Sequence, residues 1–473
     1  MVPVYPSLHC SLRMKAGAFV DKASADDGKA STWAAVESRV PPTAESRAKS
    51  RALVLGGGVT GLTTALRLLQ DGWNVDVAAR EVGGANGVVM ASASALRQTT
   101  SNGAGAVWEY PPFHCEPRVK CSEWLLQGRS VFEAMALDAK RTGVHLRPCA
   151  VVARGDAEAL AARTKHRAWS FVVREFQSGA VGDSNQPRCV DAVDDAVYRS
   201  WYRSTAPVVF MPRFLRWLHD AVVSAGATIH RGYDVSTVDA AIERCCGRCD
   251  LVVNCLGLGA AHGAAYSDGA DGGRHELEHE LYPARGALVY VMCPELTPCA
   301  YYEDIDRPDG ALTYVVPQGA TGVVACAGTF GAASDREIGA PRTAECAAIL
   351  ERCREMLPAL REAPVVGQWA GLRPMRRSGV RLELVEARQT LSTEEAIPSI
   401  MVPIIHNYGH GGSGVVLSWG CAHDVAELAR SVARSRGLAL TRSAYRGPPL
   451  IDAVLTSKMV EQLGCTKRAL ARL

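Results

Sequence analysis

Two glycine-rich stretches at opposite ends of the chain carry most of the chemistry its residues can announce. The first is Gly56-Gly57-Gly58-Val59-Thr60-Gly61, a G-x-G-x-x-G pattern. It follows the fully apolar run Ala52-Leu53-Val54-Leu55, which reads as a buried parallel strand. It precedes residues 62–70, whose apolar positions recur at helical spacing, and Gly72 can end that helix. Val75-Asp76-Val77-Ala78 then reads as a second strand. In such a unit Gly56 permits the tight turn, and Gly58 removes a side chain so that a pyrophosphate can reach backbone N–H groups at a helix N-terminus. Gly61 lets the helix lie close to the strand. Glu81, 20 residues past Gly61, can accept hydrogen bonds from ribose hydroxyls, and Arg80 beside it can reach the adenosine. This chemistry holds a dinucleotide and does not separate FAD from NAD.

The second stretch does separate them. Residues 404–422 read as a strand that enters His406-Asn407-Tyr408-Gly409-His410-Gly411-Gly412-Ser413-Gly414 and then opens a helix through Val425, Leu428 and Ala429. A second glycine loop at a helix N-terminus offers a positive dipole end. The flavin N1–C2=O region gains negative charge on reduction, whereas a nicotinamide ring has no such need. Residues 99–108, Thr-Thr-Ser-Asn-Gly-Ala-Gly-Ala-Val-Trp, supply small and hydroxyl groups suited to a phosphate or a ring edge. Leu251-Val-Val-Asn254, followed by Gly257 and Gly259, reads as a late strand of the same sheet.

These residues together resemble the D-amino acid oxidase family, with D-aspartate oxidases as close relatives. The stretch from His406 through Gly409, Gly411, Gly412, Gly414, Gly420 and Ala422 matches the family signature, and Pro283-Ala284-Arg285-Gly286 and Gly371-Leu372-Arg373-Pro374 recur in the family's order. The likeness runs from about Ala52 to Ala429. It implies FAD held by Gly56, Gly58, Val59, Thr60, Gly61, Arg80, Glu81, Thr99, Thr100, Ser101, Gly105, Ala106, Val107, Val235, Gly411, Gly412, Ser413, Gly414, Val415 and Val416.

It also implies Arg373 as the fork that binds a substrate carboxylate, Tyr314 as a hydroxyl donor to the same carboxylate, and the Gly412 carbonyl as acceptor for the amine. Hydride passes from Cα to flavin N5, the imino acid hydrolyses, and oxygen yields hydrogen peroxide; no side-chain base is required. His406 and His410 fall to the flavin loop. For side-chain specificity the resemblance points to Arg307, Gly310 and Phe330, and these conflict. Arg307 matches the placement of an arginine in oxidases of acidic substrates, Phe330 stands where they have another, and Gly310 replaces a lid tyrosine of neutral-substrate relatives. A neutral or broad D-amino acid is favoured, with D-aspartate or D-glutamate kept open.

The elements that must position these groups follow from length and pattern. A chain of 473 residues exceeds one core. The expected fold is α/β, a Rossmann-like FAD-binding domain with a mixed-sheet substrate domain, both discontinuous in sequence. Residues 51–110, 205–284 and 396–473 are expected in the first, and 111–204 and 285–395 in the second, with strands near 286–291, 312–316 and 323–325. The segment near 155–200 is an excursion with its own helix. Residues 1–50 lack apolar periodicity and are expected to be a disordered extension; five acidic residues count against a transit segment.

Net charge is +3, from 52 basic and 49 acidic side chains, which argues against nucleic acid as a partner. No apolar run reaches the ~18 residues of a membrane helix. The 16 cysteines are scattered, and Cys245, Cys246 and Cys249 lack the further ligands of a metal site. The final Ala471-Arg472-Leu473 is small–basic–leucine, a peroxisomal address read by an import receptor, and a peroxide producer belongs near catalase; the cytoplasm is the alternative. A homodimer is left open. So are three other readings: a flavin amine oxidase acting on glycine or a secondary amine, a nicotinamide-dependent dehydrogenase, and a non-catalytic nucleotide-binding protein.

Overall fold

Ala52 to Leu55 are fully buried and alternate between two apolar clusters, so the strand that contains them is covered on both faces. That environment is a parallel sheet between helical layers. The computed structural model describes residues 36–37, 50–84, 99–108, 115–164, 174–235, 237–263, 279–296, 301–331, 341–389 and 400–441. Most of the N-terminal extension and the Ala471–Leu473 tripeptide lie outside the described residues.

The strands are β1 Val36–Glu37, β2 Arg51–Gly57, β3 Asn74–Val82, β4 Val144–Ala153, β5 Arg174–Ala180, β6 Ser200–Val209, β7 Thr228–Arg231, β8 Leu251–Asn254, β9 Leu281–Met292, β10 Tyr301–Asp304, β11 Thr313–Pro317, β12 Val323–Ala327, β13 Val365–Arg376, β14 Arg381–Gln389 and β15 Ile400–Tyr408. The helices are α1 Val59–Gln70, α2 Arg118–Ala136, α3 Ala139–Thr142, α4 Ala157–Thr164, α5 Met211–Ser224, α6 Val238–Cys245, α7 Ala260–Gly263, α8 Thr343–Met356 and α9 Gly414–Ser435.

The fold is α/β with two sheets. The first runs β1-β7-β3-β2-β8-β15-β14, and β7, β3, β2, β8 and β15 pair in parallel. The order reverses between β2 and β8, so a crevice opens beyond their carboxyl ends, where open α/β sheets bind ligands. Helices α1, α5 and α9 bury one face of this sheet through Val54, Val77 and Ile405, and α6 covers the other through Leu53, Leu55 and Val252. The second sheet runs β13-β9-β12-β11-β10-β4-β6-β5 and is mixed, with β4 and β10 parallel and the other pairs antiparallel. Helix α8 and Val289, Val291 and Val324 form the core on one of its faces. Leu288, Tyr290 and Ala325 lie on the other, which looks toward the crevice.

The sheets depart from the expected ranges at several elements: β1, inside the expected N-terminal extension, pairs with β7 of the nucleotide sheet, and residues 205–209 of β6 and 281–284 of β9, expected in the FAD-binding domain, belong to the mixed sheet. Residues 381–389 fall in the range expected to hold the substrate domain, yet β14 pairs antiparallel with β15 and closes the edge of the nucleotide sheet. The near 155–200 excursion contains α4 and also supplies β5, an edge strand paired with β6.

Candidate functional site

The site begins with three glycines whose tasks are now visible as distances. Gly56 has φ +107°, and a Cβ there would stand 2.4 Å from the Cys255 carbonyl oxygen at the end of β8. Only glycine lets β2 and β8 approach this closely and turn. A Cβ on Gly61 would lie 1.9 Å from the Gly56 carbonyl, so α1 is seated against its own loop. A Cβ on Gly58 would meet only Ser101 Oγ, at 3.4 Å. Space is therefore left open above Gly58, where α1 starts without a side-chain cap. Amide N–H groups at such a start are a ready site for phosphate.

Above that start lies a cavity of about 600 Å³, within the range of sites for organic ligands. Its floor is the Gly56–Thr60 loop, with Arg80, Glu81 and Val235 at the end remote from the mixed sheet. One side is Thr99, Thr100, Ser101, Gly105, Ala106 and Val107. This segment is pinned in three places. Val59 N donates to Ser101 Oγ at 3.1 Å, Thr100 Oγ1 donates to the Leu372 carbonyl at 2.9 Å, and Val209 N donates to the Ala106 carbonyl at 2.9 Å. Ala106 has φ +50°, rare for a residue that carries a side chain, and the strain sits against the cavity.

The opposite side is Gly411 through Val416, a short 3-10 turn followed by the N-terminus of α9, again without a side-chain cap. The turn is anchored through the ends of β8 and β15. Asn407 Nδ2 donates to Thr64 Oγ1 at 3.2 Å, and Leu256 N donates to Asn254 Oδ1 at 3.2 Å. Burial holds the His410 imidazole down at about 4, so it is neutral near pH 7. Buried Asn407 Oδ1 and His410 Nε2 have no hydrogen-bond partner within the protein, and both residues line the cavity. Two helix starts whose N-cap residues make no side-chain bond, open space above Gly58 and these polar atoms fit a long ligand with phosphates at one end and a polar ring at the other.

Every residue expected to hold the cofactor lines this one cavity except Gly61, which lies beneath the loop. The wall across from α9 belongs to the mixed sheet. Arg373 on β13 and Tyr314 on β11 line the cavity from this sheet, and Gly412 lines it from the turn before α9. Arg373 Nη1 donates to the Arg285 carbonyl at 3.1 Å, and its guanidinium lies over the backbone of Gly286, where a Cβ would come within 2.6 Å of Nη1 and Nη2. Tyr314 rests on the loop, since a Cβ on Gly105 would meet its ring at 3.2 Å.

The three residues expected to set specificity do not line the cavity. Arg307 is held by Glu355, Asp309 and Asp304, at 3.1 Å to Asp309 and 3.7 Å to Asp304. Gly310, with φ +64°, sits in an open turn with nothing within 4 Å of a would-be Cβ. Phe330 is 43% exposed and lies under the Arg373 guanidinium, 5.6 Å from its ring centroid. Spacing along a strand connection could not tell which way these side chains turn. Sequence reasoning missed Glu303, Leu288 and Trp369, which do line the cavity. Nothing in their local sequence marked them: β9 is buried almost throughout, and Glu303 stands in an acidic run.

Comparison with known proteins agrees with this geometry. The family model described as FAD dependent oxidoreductase (DAO) matches residues 51–428. A D-amino-acid oxidase of Rubrobacter xylanophilus is 35% identical over 385 residues, 81% of this chain and 97% of that protein. One of Streptomyces coelicolor is 31% identical over 80% of this chain and 96% of its own. Among solved structures, glycine oxidase from Bacillus cereus superposes with a TM-score of 0.58 at 18% identity, covering 84% of this chain and 99% of that one.

Proposed function

The chain belongs to the FAD dependent oxidoreductase family, and on that premise we propose that it oxidises D-amino acids to 2-oxo acids, ammonia and hydrogen peroxide. Its cofactor is FAD. FAD held by this cavity would supply the two-electron acceptor for the hydride at Cα and for its later transfer to oxygen, and water would hydrolyse the imine to the 2-oxo acid and ammonia.

The observation that carries the reading is that Arg373 and Tyr314 of the mixed sheet line the same cavity as the Gly411–Gly414 loop. A planar guanidinium binds a carboxylate through two parallel N–H bonds, and the Tyr314 hydroxyl can donate a third. The Gly412 carbonyl can accept from the amine. Three contacts fix the orientation of an amino acid between the sheets, and orientation of this kind can be worth ~7–11 kcal/mol of a barrier. Neutral His410 adds no charge to the site. The names of the relatives at 31–35% identity support the D configuration.

The test is oxygen uptake and peroxide release by FAD-loaded protein over D-, L- and N-methyl amino acids and glycine. Turnover confined to D-amino acids, with kcat/KM reduced at least about tenfold in Arg373→Ala, is expected from the loss of a charge-assisted contact. Turnover of glycine or N-methyl substrates alone, or an unaffected Arg373→Ala, would overturn it.

A further inference from the structure

Two thiols behind the flavin loop take no part in the chemistry proposed above. Cys115 Sγ and Cys121 Sγ stand 2.9 Å apart, and both residues are free cysteines and buried. The five residues between them carry the chain through Pro117, the N-cap of α2, into the first turn of that helix, where Cys121 N donates to the Pro117 carbonyl at 2.9 Å. The apolar cluster around the pair also holds Cys421 and Val416 of α9, and Val416 lines the cavity. Backbone touches backbone on the way from the pair to the loop. A Cβ on Gly420 of α9 would overlap the Trp124 carbonyl of α2, and one on Gly128 of α2 would stand 2.7 Å from the Val416 carbonyl oxygen. Glu116, next to Cys115, accepts a hydrogen bond from Val380 N at 2.8 Å, and its carbonyl would be overlapped by a Cβ on Gly379. The Gly379 carbonyl oxygen in turn lies 3.1 Å from where Gly409, at the start of the flavin loop, would carry a Cβ.

We propose that Cys115 and Cys121 are an oxidation site for hydrogen peroxide, and that closing them into a disulfide tightens the hold of the α9 loop on FAD. The proposal takes its peroxide from the oxidase reading above and rests on it. Peroxide meets Cys115 first, because 5% of that residue is open to solvent and none of Cys121 is. The Cys115 sulfur attacks one peroxide oxygen, the O–O bond breaks, and a sulfenic acid forms with release of one water. The Cys121 sulfur then attacks Cys115, the S–O bond breaks, and a second water leaves as the S–S bond forms. Two thiols lose two electrons and two protons, and one peroxide becomes two waters. The Cys121 sulfur and burial push the Cys115 thiol up, so the first step is slow and follows sustained turnover rather than a trace of peroxide. The sulfurs must close by roughly 0.9 Å to reach bonding distance. The entry to α2 is then tied to its own first turn. Because α2 and the Glu116 contact both back the flavin loop, this tie suppresses the local openings through which FAD leaves.

Two measurements on the FAD-loaded enzyme test this. In the first, wild type is treated with hydrogen peroxide alone, or with D-alanine with and without catalase; free thiols are then alkylated and the protein is digested with trypsin. Arg118 and Lys120 lie between the two cysteines, so trypsin separates them and only a disulfide keeps their peptides together. Linked peptides are expected with peroxide and with D-alanine, and catalase should suppress the second. The other measurement is the rate of FAD release on dilution, followed by flavin fluorescence. Release is expected to slow at least about threefold once the pair is closed, as loss of local openings would give, and to recover with dithiothreitol. Cys115→Ala should show no change that dithiothreitol reverses; if that variant does not fold, the wild-type comparison before and after reduction decides. A pair that stays alkylatable under peroxide that oxidises other thiols of the chain would overturn the site. Release that is the same in the closed and reduced forms would overturn its hold on the loop. A pair closed by added peroxide, in an enzyme that takes up no oxygen with any D-amino acid, would sink the oxidase reading and leave the site standing.

Discussion

Gly286→Ala separates the position of Arg373 from the stability of the sheet. The new Cβ would stand 2.6 Å from both terminal nitrogens of Arg373. Ordinary contact needs about 3.4 Å or more, so the guanidinium must retreat by roughly 0.8 Å. It lies at the end of a flexible side chain, so it can move while the backbone stays. Gly286 is a strand residue and is not among the glycines with positive φ, so alanine fits its backbone. Alanine also restricts the unfolded chain, which stabilises by about 0.4–1 kcal/mol. The melting temperature should hold or rise. Activity should not: a misplacement near 1 Å costs about a hundredfold, or ~2.7 kcal/mol of transition-state stabilisation. Steady-state oxidation of a D-amino acid, together with the flavin content of the purified protein, reads both effects. A variant that keeps its FAD and turns over within about threefold of wild type would refute the reasoning, because Arg373 would then not be the group that fixes the carboxylate.

Gly58→Ala should fold and bind FAD more weakly, because its Cβ meets only Ser101 Oγ, whereas Gly61→Ala should fail to assemble the nucleotide sheet, with a Cβ 1.9 Å from a backbone carbonyl. FAD titration and soluble yield distinguish the two, and equal behaviour would contradict the assigned tasks. Arg307→Ala should lower stability by no more than about 1 kcal/mol, because Asp304 keeps Tyr198 and Arg154 and Glu355 keeps Arg154, while leaving the order of preferred substrates unchanged. A changed substrate order would return Arg307 to the site. His410 stays neutral down to about 4 in the folded protein, while the unfolded chain takes up its proton near ~6.5. Stability present above pH ~6.5 is therefore lost as pH falls toward 4, by about 2 kcal/mol at pH 5. Urea unfolding of wild type and His410→Asn at pH 7.5 and pH 5 checks this, and identical pH dependence would count against it.

The cofactor cradle was legible because glycine spacing encodes backbone geometry directly. Gly56, Gly58 and Gly61 are each required by a carbonyl, a space or a turn that a Cβ would occupy, and such demands are local. Arg373 and Tyr314 were legible only through resemblance, since nothing in Gly-Leu-Arg-Pro says which strand lies beneath the guanidinium. β14 was misplaced because Arg381-Leu-Glu-Leu-Val-Glu-Ala387 announces an amphipathic strand but not its partner, which is fixed by the hairpin with β15. Arg307 and Glu303 show the same limit at a single residue. Both sit in an acidic run that reads as surface; the pairing of β10 with β11 sets Glu303 beside Tyr314, whereas Arg307 lies past the end of β10 and is held by Glu355, Asp309 and Asp304.

The two glycine loops that face each other in the cavity also set an order of events during synthesis. Gly58 leaves the ribosome 353 residues before Gly411. At roughly 5–20 residues per second the first loop waits about 20–70 s for its counterpart. From its own synthesis β8 waits 146 residues for β15, about 7–30 s at that rate, and for that time one edge of a hydrophobic parallel sheet stands open to other chains. FAD cannot shorten the wait, because a ligand stabilises only the state that binds it, and that state needs α9. Chains truncated before residue 400 should therefore aggregate whatever the flavin supply. Full-length chains should gain from added flavin only after release, when the last strand slides into place and the cofactor can lock it.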